Sequence, residues 1–532
     1  MKKRFQHYLM HLLIPAFVFG SITGILTAFA VTLYKVAAHY VIALSEKGYA
    51  FLREKPLYSL AVLAVLGLVS LLLAYIYKKI PNLKGGGIPT SIGILRGIIT
   101  FKWLRNLLGV FALSLITFLS GVPLGNEGPS VQMGTAIGRG TVYTFAGKNK
   151  AWDRYSMTGG ACAGFSVATG APISGIMFAI EEAHQRLSPM IIIVSSTSVM
   201  FASITAELLA PIFGVSTTLF PAMTPIALTL REIWIPLTVG LCIGLFAVAF
   251  LYYYRAINQF FNKKLKKVPH SLKLFAVFAL TLGAGLLSPH FISTGHDLIL
   301  SLFDGKTAVW MLFLILLLRS TLTLSANTNK LTGGMFVPFL ALGAIVSATL
   351  GEAIEVIFGL SQDYYTVILI FGITACIAAM MKTPITAIVF AVEALGCYDN
   401  ILYVIIVAAV SFVVCEMFGA KSVNDAVVED RVEELNEEKT AKVIDAYLTL
   451  EKGAFAIGKQ IRDIFWPANL FVLSVKHGKN RDAEVDEHGG KALREGDILH
   501  VRYSTFDEAA TREELSAIVG GIATGEKVVK EV

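Results

Sequence analysis

The segment A-P-I-S-G-I-M-F-A-I-E-E at residues 171–182 occurs a second time, as T-P-I-T-A-I-V-F-A-V-E-A, at residues 383–394. Pro172, Ile173, Ile176, Phe178, Ala179 and Glu181 coincide with Pro384, Ile385, Ile388, Phe390, Ala391 and Glu393. Pro129 and Gly134 are matched in the same order by Pro338 and Gly343. Two matches in one order mean duplication, with halves near residues 10–215 and 228–425. Both copies are apolar segments opened by a proline, and the first also contains Gly175. Repeated halves with broken helices place a substrate site where the halves meet.

Composition decides the solvent. Of 532 residues, 55% are hydrophobic and 16% charged, and the mean hydropathy is +0.66. Apolar runs recur at Leu12–Leu33, Leu57–Ile76, Leu107–Ser120, Ile191–Leu209, Ile233–Tyr253, Leu272–Leu287, Ala308–Leu324 and Ile401–Phe418. Runs of about 18 apolar residues cross a bilayer as helices. Shorter, interrupted stretches near 129–137, 172–180, 338–350 and 384–395 are the kind that surround a mid-membrane site. The expectation is a multi-pass, all-α membrane protein embedded in the lipid bilayer.

Met1-Lys2-Lys3-Arg4 precedes an apolar run too long for a signal peptide and without a clear cleavage site. It reads as a retained first helix with its N-terminus inside, and Lys263, Lys264, Lys266 and Lys267 read as a second cytoplasmic loop. The net charge of +7 then expresses topology, and a nucleic-acid partner is not expected. Cys162, Cys242, Cys376, Cys397 and Cys415 lie in apolar stretches without metal-ligand spacing, so neither disulfides nor a metal site are expected. No cofactor motif is present. An enzyme is disfavoured too, since H-E-x-x-H, G-x-S-x-G and Walker lysine patterns are missing.

After about residue 425 the chain becomes charged, with Glu429-Asp430-Arg431 and Glu433–Lys439 forming a helical exit. A small α+β domain is expected over 440–525. Its candidate strands are Val443–Leu450, Leu470–Lys476 and Asp497–Tyr503, with helices around Lys459–Ile464 and Phe506–Ile518. Gly490 and Arg494–Asp497 supply turns.

Three glycine-rich breaks punctuate the membrane region: Gly85-Gly86-Gly87-Ile88-Pro89, Gly125-Asn126-Glu127-Gly128-Pro129 and Gly333-Gly334-Met335-Phe336-Val337-Pro338. Proline suits a first helical turn, and glycine lets free backbone N–H groups approach a ligand. A helix start adds about half a positive charge. Three such starts converging would hold an anion without a fixed cation, so that it can leave again. Glu127 adds a titratable acid inside the membrane region, where an ionisable group marks an ion path.

In this order and spacing, the three breaks resemble the G-S-G-I-P, G-R-E-G-P and G-x-F-x-P motifs of the CLC family of chloride channels and anion/proton antiporters. The resemblance covers roughly residues 10–430. It implies an inverted-repeat, homodimeric membrane protein with one anion path per subunit and both termini cytoplasmic, in a cell (plasma) membrane. By position, Glu127 matches the external gating glutamate, and Glu182 matches the internal proton-transfer glutamate of the antiporters. The other reading of Glu182 is a solvated helix end near Arg186. The resemblance places anion contacts at Gly86, Gly87, Ile88, Asn126, Gly128, Met335, Phe336 and Val337, and the partners implied are a halide anion and the proton.

Three positions depart from the family pattern. Gly86 stands where the family has serine, Asn126 where it has arginine, and Asn424 where a tyrosine is expected. Asn424 can donate through its amide, and Thr332 offers a hydroxyl or a helix cap. Chloride/proton antiport is the leading expectation. Fluoride/proton antiport and a passive voltage-gated chloride channel are the alternatives. The tail, over about 440–522, resembles the TrkA-C regulatory domain through Lys452-Gly453, Ile457-Gly458-Lys459 and Leu493–Leu499. That resemblance implies either dimerisation or binding of a small cytosolic ligand.

Overall fold

The computed structural model describes residues 13–531 except 86, 148–149, 222, 360, 437–439, 477–491 and 522–523. The first half of the membrane region comprises α1 (Ile14–Glu54), α2 (Ser59–Lys79), α3 (Ile88–Leu95), α4 (Trp103–Leu119), α5 (Glu127–Phe145), α6 (Lys150–Thr169), α7 (Pro172–Phe178) and α8 (Pro189–Phe213). The second half comprises α9 (Trp234–Gln259), α10 (His270–Leu287), α11 (His296–Asp304), α12 (Val309–Thr328), α13 (Phe336–Phe358), α14 (Tyr364–Met380), α15 (Pro384–Glu393) and α16 (Ile401–Met417). An exit helix, α17 (Val423–Asn436), leads to the tail.

Local chemistry sets many of these boundaries. Helices α7, α8 and α15 start on Pro172, Pro189 and Pro384, whose missing N–H costs nothing in a first turn. Helices α8 and α13 stop at Gly214 and Gly359, which take the left-handed conformation at φ +63° and +65°. Among the described residues, seven helical segments are long and apolar enough to cross a membrane. The 41 residues of α1 would reach about 60 Å at about 1.5 Å per residue, twice a hydrocarbon core of about 30 Å. Part of α1 therefore lies outside the hydrocarbon.

In the membrane region, helices α3, α6, α11 and α14 lie outside the apolar runs and shorter stretches, and α6 and α14 are the long ones. Helix α6 is rich in Gly, Ser and Thr because its neighbours are protein: a Cβ on Gly160 would overlap the carbonyl of Gly134 in α5, and one on Gly134 that of Gly160. Helix α14 is apolar on every side and its residues from Val367 to Met380 are buried throughout. It forms the centre of the second half.

The halves are joined symmetrically. The carboxylate of Glu181 accepts hydrogen bonds from the N–H groups of Ile385 (2.9 Å) and Thr386 (2.6 Å) and from the Thr386 hydroxyl (2.7 Å). Glu393 accepts the corresponding three from Ile173, Ser174 and the Ser174 hydroxyl, at 2.8, 2.9 and 2.8 Å. Gly125 and Gly334 likewise exchange N–H···O bonds, both of 2.7 Å. Two reciprocal pairs require a local two-fold relation between the halves.

The tail forms a four-stranded sheet from β1 (Lys442–Thr449), β2 (Leu470–Lys476), β3 (Ile498–Thr505) and β4 (Thr524–Glu531), in the order β2-β3-β1-β4. All neighbours are antiparallel, with Ala446 opposite Val501 and Leu448 opposite Leu499. Helix α18 (Glu508–Val519) closes its core with Leu515, Ile518 and Val519. The expected helix around Lys459–Ile464 is corrected to a turn and a short 3-10 segment, Ile461–Asp463. Gln460 and Ile464 are extended on either side of it, at ψ 153° and 134°, so no α-helix runs through the segment. Strand β4 was not anticipated, because its charged sequence lacks an apolar alternation. Gly490 and the exit residues Glu437, Glu438 and Lys439 lie outside the described residues, as do Met1–Arg4.

That broken segment docks the tail onto the membrane region. The Phe465 ring lies 4.3 Å from Tyr155 and 4.5 Å from His184, centroid to centroid, and the Arg186 guanidinium sits 4.6 Å over it. Arg154 donates to the Trp466 carbonyl at 2.6 Å and pairs with Glu514 at 2.8 Å. The Tyr155 hydroxyl donates to the Asp463 carbonyl.

Candidate functional site

The three glycine-rich breaks meet at one point. A Cβ on Gly128 would stand 2.6 Å from the Gly334 Cα and 3.0 Å from the Gly87 Cα. Only glycine allows three backbones this close. Gly87, at φ +98°, gives its N–H to the Gln132 side chain at 2.7 Å, and Gln132 in turn donates to Asn106 at 3.2 Å. Helices α3, α5 and α13 all begin here, with Pro89, Pro129 and Pro338 in their first turns. First-turn N–H groups have no partner within their own helix, which leaves those of Ile88, Gly128, Phe336 and Val337 for a ligand.

Glu127 is the acid at this junction. Its side chain is 1% exposed, and its Oε2 has no hydrogen-bond partner. The carboxylate folds back over Gly125, where a Cβ would collide with Oε2. The backbone N–H groups of Glu127 itself and of Val337 face it. With Asn126 and Val337 it lines a cavity of about 380 Å³. The junction thus brings together Gly87, Ile88, Asn126, Glu127, Gly128, Met335, Phe336 and Val337. Phe336 is held edge-on by Phe165 and Phe390, at 5.1 and 5.3 Å. Phe390 and its repeat mate Phe178, which stacks on Phe165 at 5.7 Å, are repeat positions that also pack around the junction.

Glu182 sits in a π-helical turn, Ala179–Ala183, and is 4% exposed, so the solvated-end reading is overturned. The amide of Asn424 donates to its carboxylate. Arg96 fixes the turn's backbone through the carbonyls of Glu182 (2.9 Å) and Ala183 (3.0 Å), and is itself paired with Asp425 at 2.9 Å. Asn424 and Asp425, in the first turn of α17, therefore clamp Glu182 against the end of α3.

Two sequence expectations change here. Asn424 was expected to donate to the anion, yet its amide is bonded to Glu182. Thr332 was expected to offer the anion a hydroxyl or to cap a helix. Its hydroxyl instead donates to the Leu83 carbonyl and contacts the Tyr77 hydroxyl, each at 2.9 Å. Met335, not Thr332, precedes α13. Gly86 lies outside the described residues. Arg96 and Gln132 were missed, although a polar residue within an apolar helix was a signal for Gln132.

Residues 67–416 match the model of the voltage gated chloride channel family. The chain belongs to the CLC family. Among curated CLC relatives is the H(+)/Cl(-) exchange transporter ClcA of Vibrio parahaemolyticus, 28% identical over 421 residues, covering 76% of this chain and 87% of that protein. ClcA of Salmonella arizonae is 29% identical over 444 residues, covering 81% and 91%. Among solved structures, a slow cyanobacterial Cl−/H+ antiporter aligns with a TM-score of 0.70 and 25% identity, over 80% of this chain and 98% of that one. A CLC-type fluoride/proton antiporter aligns at 0.62 and 19% identity, over 76% and 96%, which speaks for the fold alone. CLC proteins are membrane transport proteins, and this chain is not an enzyme.

Proposed function

We propose that this chain exchanges a halide, chloride first, for protons across a membrane. The observation that carries the reading is Glu127, buried with a partnerless carboxylate oxygen where three helix starts converge. Helix starts attract negative charge, so an ionised Glu127 and a bound anion compete for the same place. Protonation removes the charge of Glu127 and with it the competition. The anion then enters, and the side chain carries its proton outward. Glu182 supplies that proton from the inner side, and the clamp of Asn424, Arg96 and Asp425 keeps it in place. The exchange-transporter relatives and the chloride/proton antiporter structure support this reading.

Reconstituted in liposomes, a chloride gradient drives proton movement, and Glu127→Gln abolishes the coupling. Proton coupling left intact in that variant would remove Glu127 from its role. A passive channel needs no inner proton donor, and chloride flux without proton flux would establish it. The fluoride reading keeps one supporting observation: of the expected side-chain donors to a central anion, Thr332 gives its hydroxyl proton to Leu83 and Asn424 gives an amide N–H to Glu182. Chloride and fluoride fluxes measured side by side decide between the ions.

The same reading includes a plasma-membrane location, cytoplasmic termini and a homodimer with one path per subunit. The basic loop at Lys263–Lys267 supports the orientation. The tail is assigned to the cytosol, where it would regulate transport by binding a small ligand or by dimerising. Its docking next to Glu182, through Phe465 on His184, supports a link to transport. Cross-linking in native membranes tests the dimer.

A further inference from the structure

The cavity in front of Glu127 has two cationic walls. Lys35 of α1 and His296 of α11 line it together with Asn126, Glu127 and Val337. Lys35 Nζ donates to the carbonyls of Val167 (3.1 Å) and Ser216 (3.0 Å), which fixes the ammonium at the rim. The His296 ring stacks on Phe220 at 5.4 Å. Its Nε2 lies 2.7 Å from the Leu219 carbonyl and its Nδ1 3.2 Å from the Asp297 carboxylate. A carbonyl and an ionised carboxylate only accept, so both bonds form only when both ring nitrogens carry protons. The geometry therefore fits the imidazolium. Burial pulls the His296 pKa down, but the bonds to Asp297 and Leu219 outweigh it and leave the group above its usual value. Helix α11 is a nine-residue helix and is not one of the membrane spans.

The position that carries arginine in the family motif is Asn126 here. Positive charge beside the acid is thus absent from α5 and comes from α1 and α11 instead. Building on the reading of Glu127 as the gate, we propose that Lys35 and His296 form an anion-capture site at the mouth of the path, which takes a small monovalent anion such as chloride and weakens as His296 loses its proton. The charged groups facing His296 are Asp297 on its own helix, Lys35, His39 and Glu46 from α1, Glu127 from α5, and Arg319 of α12 behind Gly295. A cavity walled by protein focuses the field of such charges on an entering ion.

The test is calorimetric chloride binding to the purified full-length chain in a Glu127→Gln background, where residue 127 no longer titrates. Affinity is expected to fall at least about threefold between about pH 5.5 and about pH 8. Adding His296→Gln should remove that fall. Adding Lys35→Met should weaken binding at both pH values, while Lys35→Arg keeps it. A pH-independent affinity in Glu127→Gln, or a fall that persists with His296→Gln, overturns the proposal. If the His296 variant does not fold, Asp297→Asn substitutes for it: losing the acceptor should move the fall to lower pH, and an unmoved fall overturns the proposal equally. Failure of the gate reading looks different, since it appears as intact proton coupling in Glu127→Gln liposomes.

Discussion

Glu181 caps the helix that carries Glu393, and Glu393 caps the helix that leads to Glu181. Each carboxylate closes the open N–H groups at a helix start. The hydroxyls of Ser174 and Thr386, also at matching repeat positions, complete both caps. The relation separates two adjacent acids. Glu181 has a repeat mate and a structural task, whereas Glu182 is matched by Ala394 and exists in one half only.

Removing either cap should destabilise the membrane region. Glu181→Ala and Glu393→Ala are each expected to cost about 0.5–2 kcal/mol, the range for losing a helix cap. Glutamine at either position should recover part of it, since one oxygen still accepts. Thermal unfolding of the purified protein in detergent reads this out, and an unchanged midpoint in both alanine variants would refute the capping role.

Gly128 and Gly334 are the tight backbone contact of the junction, each with a Cβ position 2.6 Å from the other's backbone. Gly128→Ala should cost about 3 kcal/mol or destroy folding, because its Cβ meets backbone and not a yielding side chain. Halide flux should vanish with it. Gly283, whose Cβ would meet nothing within 4 Å, is the control. Gly283→Ala should stay within about 0.5 kcal/mol of the parent and transport normally.

Asn424→Ala takes away the amide that holds the Glu182 carboxylate. An orphaned buried acceptor costs about 1–3 kcal/mol, which bears on the proton step and not on the anion path. Proton flux per chloride should fall to half or less while chloride flux stays near the parent value. Paired flux measurements decide it, and a selective loss of chloride flux would return Asn424 to the anion site.

The tail should gain stability at alkaline pH. Burial pulls Lys459 from its usual 10.5 down to about 8, with its ammonium over the Phe455 ring at 3.5 Å. Between pH 8 and 10.5 the unfolded chain holds this proton and the folded tail does not, so stability rises with pH across that window. The gain is roughly 3 kcal/mol at most, and below pH 8 it is absent. Hydrogen exchange in the full chain over 442–505, compared at pH values within the window, should show slower opening as pH rises. Lys459→Met should flatten that trend.

Much of the architecture was legible because its signals are local. Proline and glycine at 85–89, 125–129 and 333–338 announce helix starts whatever surrounds them. The expected helix at Lys459–Ile464 failed for the complementary reason: Phe465 is drawn onto Tyr155 and His184, and no pattern within the segment reports a surface more than 250 residues away in sequence.

Apolar run length, the written-out duplication and the acid in its glycine turn determined by themselves that this is a duplicated membrane protein with an ionisable group between its broken helices. These are properties of neighbouring residues, and the bilayer and backbone sterics act on them directly. Tertiary structure alone decided who partners whom. It set Gly128 against Gly87 and Gly334, tied Asn424 to Glu182, spent Thr332 on Leu83 and Tyr77, and lined the cavity at Glu127 with Lys35 and His296. A side chain's chemistry names the partners it can take, and the packing of distant helices chooses among them.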